Sequence, residues 1–138
     1  STNVYALREA LRLVSEEGIE QRWDLHRSVA GALKAGVESM GLEMNAPDEY
    51  WLPSLNTVRV PDGIDDGTII QYLLDEYDLE IASGLGALSG DIWRIGCMGH
   101  SARPKNVSYL LTALGDALAE HGADVDVDAG LAATSDAL

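Results

Sequence analysis

Arg94 lies in Asp91-Ile92-Trp93-Arg94-Ile95-Gly96-Cys97-Met98, a run that is apolar after its first residue. Period-two alternation puts Trp93, Ile95 and Cys97 on one face of a strand and Ile92, Arg94 and Gly96 on the other. A guanidinium among apolar neighbours requires an anion, and its planar fork suits a carboxylate held by two parallel hydrogen bonds. Gly96, on the same face, leaves open space beside it. Two kinds of carboxylate meet the need: one from the chain itself, in an internal ion pair, or one from a bound molecule. Residue types alone favour the internal pair, because acids are abundant. Directly before the strand lies Ser83-Gly84-Leu85-Gly86-Ala87-Leu88-Ser89-Gly90. Its glycines permit close backbone approach and mobility, as a binding loop or a plain connection needs. The loop leads into a strand rather than a helix and has no Gly-Lys-Ser/Thr ending, so it is a poor phosphate fingerprint.

The remaining reactive residue types point to ordinary structural roles. His26 falls on the apolar stripe of a helix and reads as a satisfied core histidine. His100 follows the strand of Arg94 and reads as a loop residue. His26, His100 and His121 lack the short spacing of a zinc site. Cys97, the single cysteine, is expected to face the core, with no basic neighbour to activate it, and it excludes an internal disulfide. Asp124, Asp126 and Asp128 imitate the start of a calcium loop. Its glycine comes one position late at Gly130, and Ser135 stands where the bidentate glutamate belongs. Asn106-Val107-Ser108 is a formal glycosylation sequon placed in a predicted helix.

With 23 acidic residues against nine lysines and arginines, the net charge is −14. Lysine is confined to Lys34 and Lys105. So negative a surface repels phosphate backbones and anionic lipid, which argues against nucleic-acid and membrane partners. Self-repulsion of this size opposes compaction, and salt screens it, so a salt-adapted host, haloarchaeal in character, is expected. Neither a spanning helix nor a signal peptide is visible, and a cytoplasmic location follows as an expectation.

These residues must be positioned by a modest set of elements. At 138 residues, one domain is expected. Leu7, Leu11 and Val14 form an apolar stripe on a helix over Tyr5–Glu17, which Gly18 interrupts. Ile19, Trp23, His26, Ala30, Leu33, Val37 and Met40 continue as a long amphipathic helix closed by Gly41. Leu42–Met44, Leu55–Val60, Leu79–Ala82 and Ile92–Met98 read as strands. Asp65 or Asp66 caps a helix carrying Ile69, Ile70, Leu73, Leu74 and Tyr77. Ser101 and Pro104 open a last helix with Val107, Leu110, Leu111, Leu114 and Leu118, ended by Gly122. The fold class predicted is α+β, a small antiparallel or mixed sheet covered by helices, over residues 1–122. Residues 123–138 are small, acidic and without periodicity, and read as a flexible, disordered tail.

Several segments together resemble the C-terminal small domain of class V aminotransferases, the alanine–glyoxylate and serine–pyruvate group of fold-type I enzymes. They are Tyr5-Ala6-Leu7-Arg8-Glu9-Ala10-Leu11, Glu17-Gly18-Ile19-Glu20, His26-Arg27, and Leu52-Pro53 with Val58-Arg59-Val60-Pro61-Asp62-Gly63. Leu79-Glu80-Ile81-Ala82-Ser83-Gly84-Leu85-Gly86, Trp93-Arg94-Ile95-Gly96-Cys97-Met98-Gly99 and Asn106-Val107 complete the set. The likeness runs from Val4 to about Leu118 and leaves the segment after Gly122 without a counterpart.

The resemblance implies that Arg94 binds the carboxylate of a small amino-acid or oxo-acid substrate, reversing the balance drawn from residue types. It implies that Ser83, Gly84, Leu85 and Gly86 border the active-site mouth. It also implies pyridoxal 5'-phosphate as cofactor, a large cofactor-binding domain as partner, and a homodimer. The Schiff-base lysine, the aspartate for the pyridine nitrogen and the phosphate-binding segment belong in such enzymes to preceding sequence. Lys34 and Lys105 lack that lysine's context, so no catalytic residue is expected within this chain and transamination by it alone is not. The competing reading is a non-catalytic interaction or regulatory domain derived from such an enzyme. A free-standing carboxylate-binding module is the weakest of the three.

Overall fold

The computed structural model describes residues 1–138. Helices α1 (Thr2–Glu17) and α2 (Ile19–Ser39) come first, followed by β1 (Leu55–Arg59) and α3 (Asp66–Tyr77). Then come β2 (Ala82–Ser83), β3 (Ile92–Gly96), α4 (Pro104–Glu120) and α5 (Val127–Ala137). The strands form one antiparallel sheet in the order β1-β3-β2, with Thr57 and Ala82 flanking Arg94 on either side. The α+β prediction and the antiparallel sheet are what the structure contains. Two expected strands are much reduced. Leu42–Met44 contributes a single bridge, Met44 to Val58, and pairing after α3 begins only at Ala82.

The sheet is covered on one face. Asn56 and Val58 of β1, with Trp93 and Ile95 of β3, are buried beneath the helices. On the other face Leu55, Thr57 and Arg94 are half-buried, Arg59 and Gly96 are exposed, and Ile92 is buried. Beneath the covered face, Leu33 and Val37 of α2 join Ile69 and Leu73 of α3 and Leu111, Leu114 and Leu118 of α4 in the core. Buried Asn56 is satisfied twice: Trp51 Nε1–H donates to its Oδ1 at 2.9 Å, and its Nδ2–H donates to the Pro53 carbonyl at 3.1 Å. Asp65 is the cap of α3, its Oδ2 accepting from both the amide and the hydroxyl of Thr68 at 2.8 Å. Those bonds hold its carboxyl below the usual carboxylate range. Pro104 opens α4, as its fixed φ and missing N–H allow.

One expectation is corrected. Residues 123–138 are not a disordered tail: Val127–Ala137 is helix α5, packed on α2 and α4. Asp126, one of the three alternating aspartates, is its cap and accepts from Ala129 N–H at 2.9 Å. Its buried residues are Gly130 and Thr134, where it approaches closely, and its half-buried Val127 and Leu131 pack against the core beside them. A Cβ on Gly36 of α2 would lie 2.3 Å from Thr134 Oγ1 and 3.1 Å from the Gly130 carbonyl oxygen. Thr134 Oγ1 also donates to the Ala32 carbonyl at 3.1 Å. Helix α1 forms over the predicted stripe. Its stripe does not enter the core: no α1 residue is buried, and Leu7 and Leu11 are 59% and 58% exposed. The stripe continues onto Ile19 and Trp23 of α2, both exposed.

Candidate functional site

Arg94 stands at the middle of the central strand, on the open face of the sheet, between the small side chains of Thr57 and Ala82. Its Nε–H donates to the Ser83 carbonyl at 2.7 Å. No carboxylate lies within 4.0 Å of its guanidinium, although Arg12, Arg22, Arg27 and Arg59 each have one. The internal ion pair that residue types favoured is therefore not formed. With Nε held by backbone, the fork of the two terminal nitrogens remains for an outside anion.

The loop from Ser83 to Gly90 rises beside that fork and is shaped by backbone bonds. Gly84 N–H donates to the Ile92 carbonyl at 3.0 Å, and Asp91 N–H donates to that of Leu88 at 3.1 Å. Gly84 is required by space: a Cβ there would sit 2.0 Å from the Leu88 carbonyl oxygen. Gly86 and Gly90 have φ of 57° and 86°, the region that favours glycine. The loop presents Leu85 and Leu88 to solvent. Ser83 thus contacts Arg94 directly, while Gly84, Leu85 and Gly86 form the adjoining loop.

Beyond Arg94 the chain turns through Gly99–Ser101, and α2 clamps that turn. His26 Nε2 accepts from Gly99 N–H at 3.0 Å, and its Nδ1 lies 2.8 Å from the Arg22 carbonyl. A ring that accepts at Nε2 and meets a carbonyl at Nδ1 is neutral with its proton on Nδ1. Arg22 Nη1 reaches the Gly99 carbonyl at 3.4 Å. His26 is thus satisfied at both nitrogens, half-buried rather than deep in the core. His100 meets Arg103 Nη2 at 2.9 Å. Cys97 is buried, and burial pushes its thiol pKa up, away from the reactive thiolate.

Sequence reasoning missed the partner of Ser83. Its hydroxyl donates to Asp66 Oδ2 across 17 positions. The sequence offers Asp66 only as a possible helix cap, and no local signal marks so distant a contact. Neither principal cleft, of about 740 and 400 Å³, is lined by Arg94. The candidate site is a shelf, with one wall formed by this chain.

No protein-family model matches the chain. It is 43% identical over 136 residues to the (S)-ureidoglycine–glyoxylate transaminase of Bacillus subtilis, spanning 99% of this chain and 33% of that protein. The crystal structure of the B. subtilis ureidoglycine–glyoxylate aminotransferase superposes with a TM-score of 0.96 at 42% identity, over 99% of this chain and 35% of that one. The alanine–glyoxylate aminotransferase of Felis catus is 39% identical over 84% of this chain and 28% of its own length. The pyridoxamine–pyruvate aminotransferase of Mesorhizobium loti superposes with a TM-score of 0.88 at 36% identity, over 92% of this chain and 33% of that one. The chain thus spans about a third of the aminotransferases it matches and corresponds to their C-terminal part. Its fold is that of the C-terminal domain of fold-type I aminotransferases. The B. subtilis likeness extends through nearly the whole chain, so the segment after Gly122 has a counterpart after all.

Aminotransferases of this kind use pyridoxal phosphate, and the residues present here do not build its site. Lys34 Nζ is engaged by Glu38 at 2.7 Å and Asp48 at 3.1 Å, and Lys105 is exposed in the first turn of α4. No buried polar side-chain atom lacks a partner that such a group could supply.

Proposed function

We propose that this chain serves as the C-terminal part of a pyridoxal-phosphate-dependent aminotransferase and contributes Arg94 as the clamp for a substrate carboxylate. One observation carries the reading: a half-buried arginine with an unpaired fork in a chain of net charge −14, where carboxylates are the commonest partner on offer. The relatives' names differ in amino donor but share a small 2-oxo acid, glyoxylate or pyruvate, as acceptor. The carboxylate of such an acid is the ligand assigned to Arg94, with alanine or serine as the amino donor. The loop Ser83–Gly90 borders the mouth of the site. The exposed stripe of α1, Leu7 and Leu11 with Ile19 and Trp23, is the surface that the large cofactor-binding domain covers. The parent enzyme works as a homodimer in the cytoplasm of a salt-adapted cell.

The test is steady-state kinetics of the full-length protein with Arg94→Ala and Arg94→Lys. Loss of a bidentate, charge-assisted pair raises KM for the oxo acid by about a hundredfold, and lysine, lacking the planar fork, recovers only part. An Arg94→Ala enzyme with unchanged KM ends the assignment. A full-length protein that binds no pyridoxal phosphate and transfers no amino group supports instead the non-catalytic interaction domain, for which the exposed α1 stripe would be the binding face.

A further inference from the structure

Arg94 is held by one hydrogen bond, and what holds its acceptor decides where the fork points. That acceptor is the carbonyl of Ser83 in β2, a strand of two residues at the edge of the sheet. So short an edge strand is weakly fixed by its own ladder. Here it is tied down from outside, by the first turn of α3.

Asp66 contacts both members of one cross-strand pair. Ser83 and Trp93 are directly opposite each other, one position along from Ala82 and Arg94. The Asp66 carboxylate accepts from the Ser83 hydroxyl, and the Asp66 carbonyl accepts from Trp93 Nε1–H at 3.3 Å. Trp93 is fully buried, so the second contact cannot drift with solvent. The Ser83 hydroxyl also accepts from Gly90 N–H at 3.4 Å, closing the base of the glycine loop. A single carboxylate therefore fixes the residue whose carbonyl holds Arg94 and the two ends of the loop beside it.

We propose that Asp66 is a positioning residue for substrate-carboxylate binding: through Ser83 it sets the orientation of Arg94 and the base of the Ser83–Gly90 loop. The inference rests on the reading of Arg94 as a carboxylate clamp. Asp66 touches no substrate and acts by geometry alone. A hydrogen-bond acceptor of the same shape must therefore serve in its place, whether or not it is charged. Asparagine supplies that acceptor at Oδ1; alanine does not. Removing the Ser83 hydroxyl must do what removing the Asp66 carboxylate does, and removing both must cost no more than removing one, because the two act as a unit.

The experiment compares Asp66→Ala, Asp66→Asn, Ser83→Ala and the Asp66→Ala/Ser83→Ala double variant in the full-length protein, with Arg94→Ala as the reference. Expected is a rise of about fivefold in KM for the oxo acid in both alanine variants and in the double variant, the effect of one hydrogen bond. kcat stays within about twofold, and Asp66→Asn lies within about twofold of the unmodified enzyme in both constants. A purely structural role would move the melting temperature and the fraction of active enzyme without separating KM from kcat. If Asp66→Ala does not fold, Ser83→Ala against Asp66→Asn makes the same comparison. The proposal is overturned if the alanine variants leave KM unchanged while Arg94→Ala raises it. It is equally overturned if Asp66→Asn is as impaired as Asp66→Ala, or if the double variant shows the product of the single effects. Should Arg94→Ala itself leave KM unchanged, the clamp reading and this inference fall together.

Discussion

Gly31 and Gly36 lie about 1.4 turns apart on α2, and replacing each with alanine is expected to move stability in opposite directions. Alanine is favoured over glycine inside a helix by about 1 kcal/mol. At Gly31 nothing lies within 4 Å of the new methyl, so that gain is realised in full. At Gly36 the same methyl lies 2.3 Å from Thr134 Oγ1, 2.4 Å from Leu111 Cδ1 and 3.1 Å from the Gly130 carbonyl oxygen. Leu111 ends in a flexible methyl and can turn aside. Thr134 is bonded to the Ala32 carbonyl, and Gly130 is backbone, so α5 must move as a body. Overpacking of this kind costs about 1–3 kcal/mol. Set against the propensity gain, Gly36→Ala is destabilising by up to about 2 kcal/mol. For a chain of this length, 1 kcal/mol corresponds to roughly 3–4 °C in Tm. Thermal unfolding followed by circular dichroism should therefore place Gly31→Ala about 3 °C above the unmodified chain and Gly36→Ala below it, by up to about 8 °C. In a chain ending at Gly122 the penalty at Gly36 should largely vanish, since Thr134 and Gly130 are gone. Two substitutions that raise Tm alike in the full chain would show that α5 does not sit on α2 at this crossing.

Two further outcomes concern charge. The hydroxyls of Tyr72 and Tyr77 both donate to Asp116 Oδ2, at 2.9 and 2.6 Å. Tyr77 is pushed up to about 12 by the Asp116 carboxylate and by burial, Tyr72 is raised for the same reasons, and Asp116 is lowered by both phenols. The tyrosine part of this stabilisation is complete below the ordinary phenol value of about 10 and is lost as pH climbs through the raised values. The Asp116 part is present above the ordinary carboxylate range and is lost as pH falls through the lowered one. A tyrosinate absorbance titration should show two of the five tyrosines ionising late, and Asp116→Asn should bring them back; a single titration shared by all five would refute the cluster. The net charge of −14 predicts that Tm rises between low salt and molar KCl as self-repulsion is screened. A flat or falling profile would count against salt adaptation.

How much of this molecule could be read from its residues depended on how far apart the interacting groups lie. Short-range chemistry was readable. Asp65 caps α3 three residues from Thr68, Gly41 and Gly122 take up φ of 96° and 88° where helices end, and alternation placed Arg94 opposite Trp93, Ile95 and Cys97. Helix α5 is hard to read because its closest contact is made of absences: Gly130 meets Gly36, and Val127 and Leu131 alone give too short an apolar pattern for periodicity to detect. The stripe of α1 is legible as apolar, but its place at the surface is not, because periodicity reports that a face wants cover and not where the cover comes from. Arg94 was placed on the right face, but its lack of an internal partner is a tertiary fact, as is the bond from Ser83 to Asp66.

Helix α2 runs for 21 residues, about 30 Å from end to end. Near its start, Arg22 and His26 grip Gly99, just past the strand of Arg94. Near its finish, Ala32 and Gly36 seat α5, and the Met40 carbonyl accepts from Asp126 N–H at 3.0 Å. The helix is therefore a rigid beam loaded at both ends, and its tilt is common to both. The seat of α5 and the turn that follows the strand of Arg94 therefore share one support, and any change in its tilt would reach both.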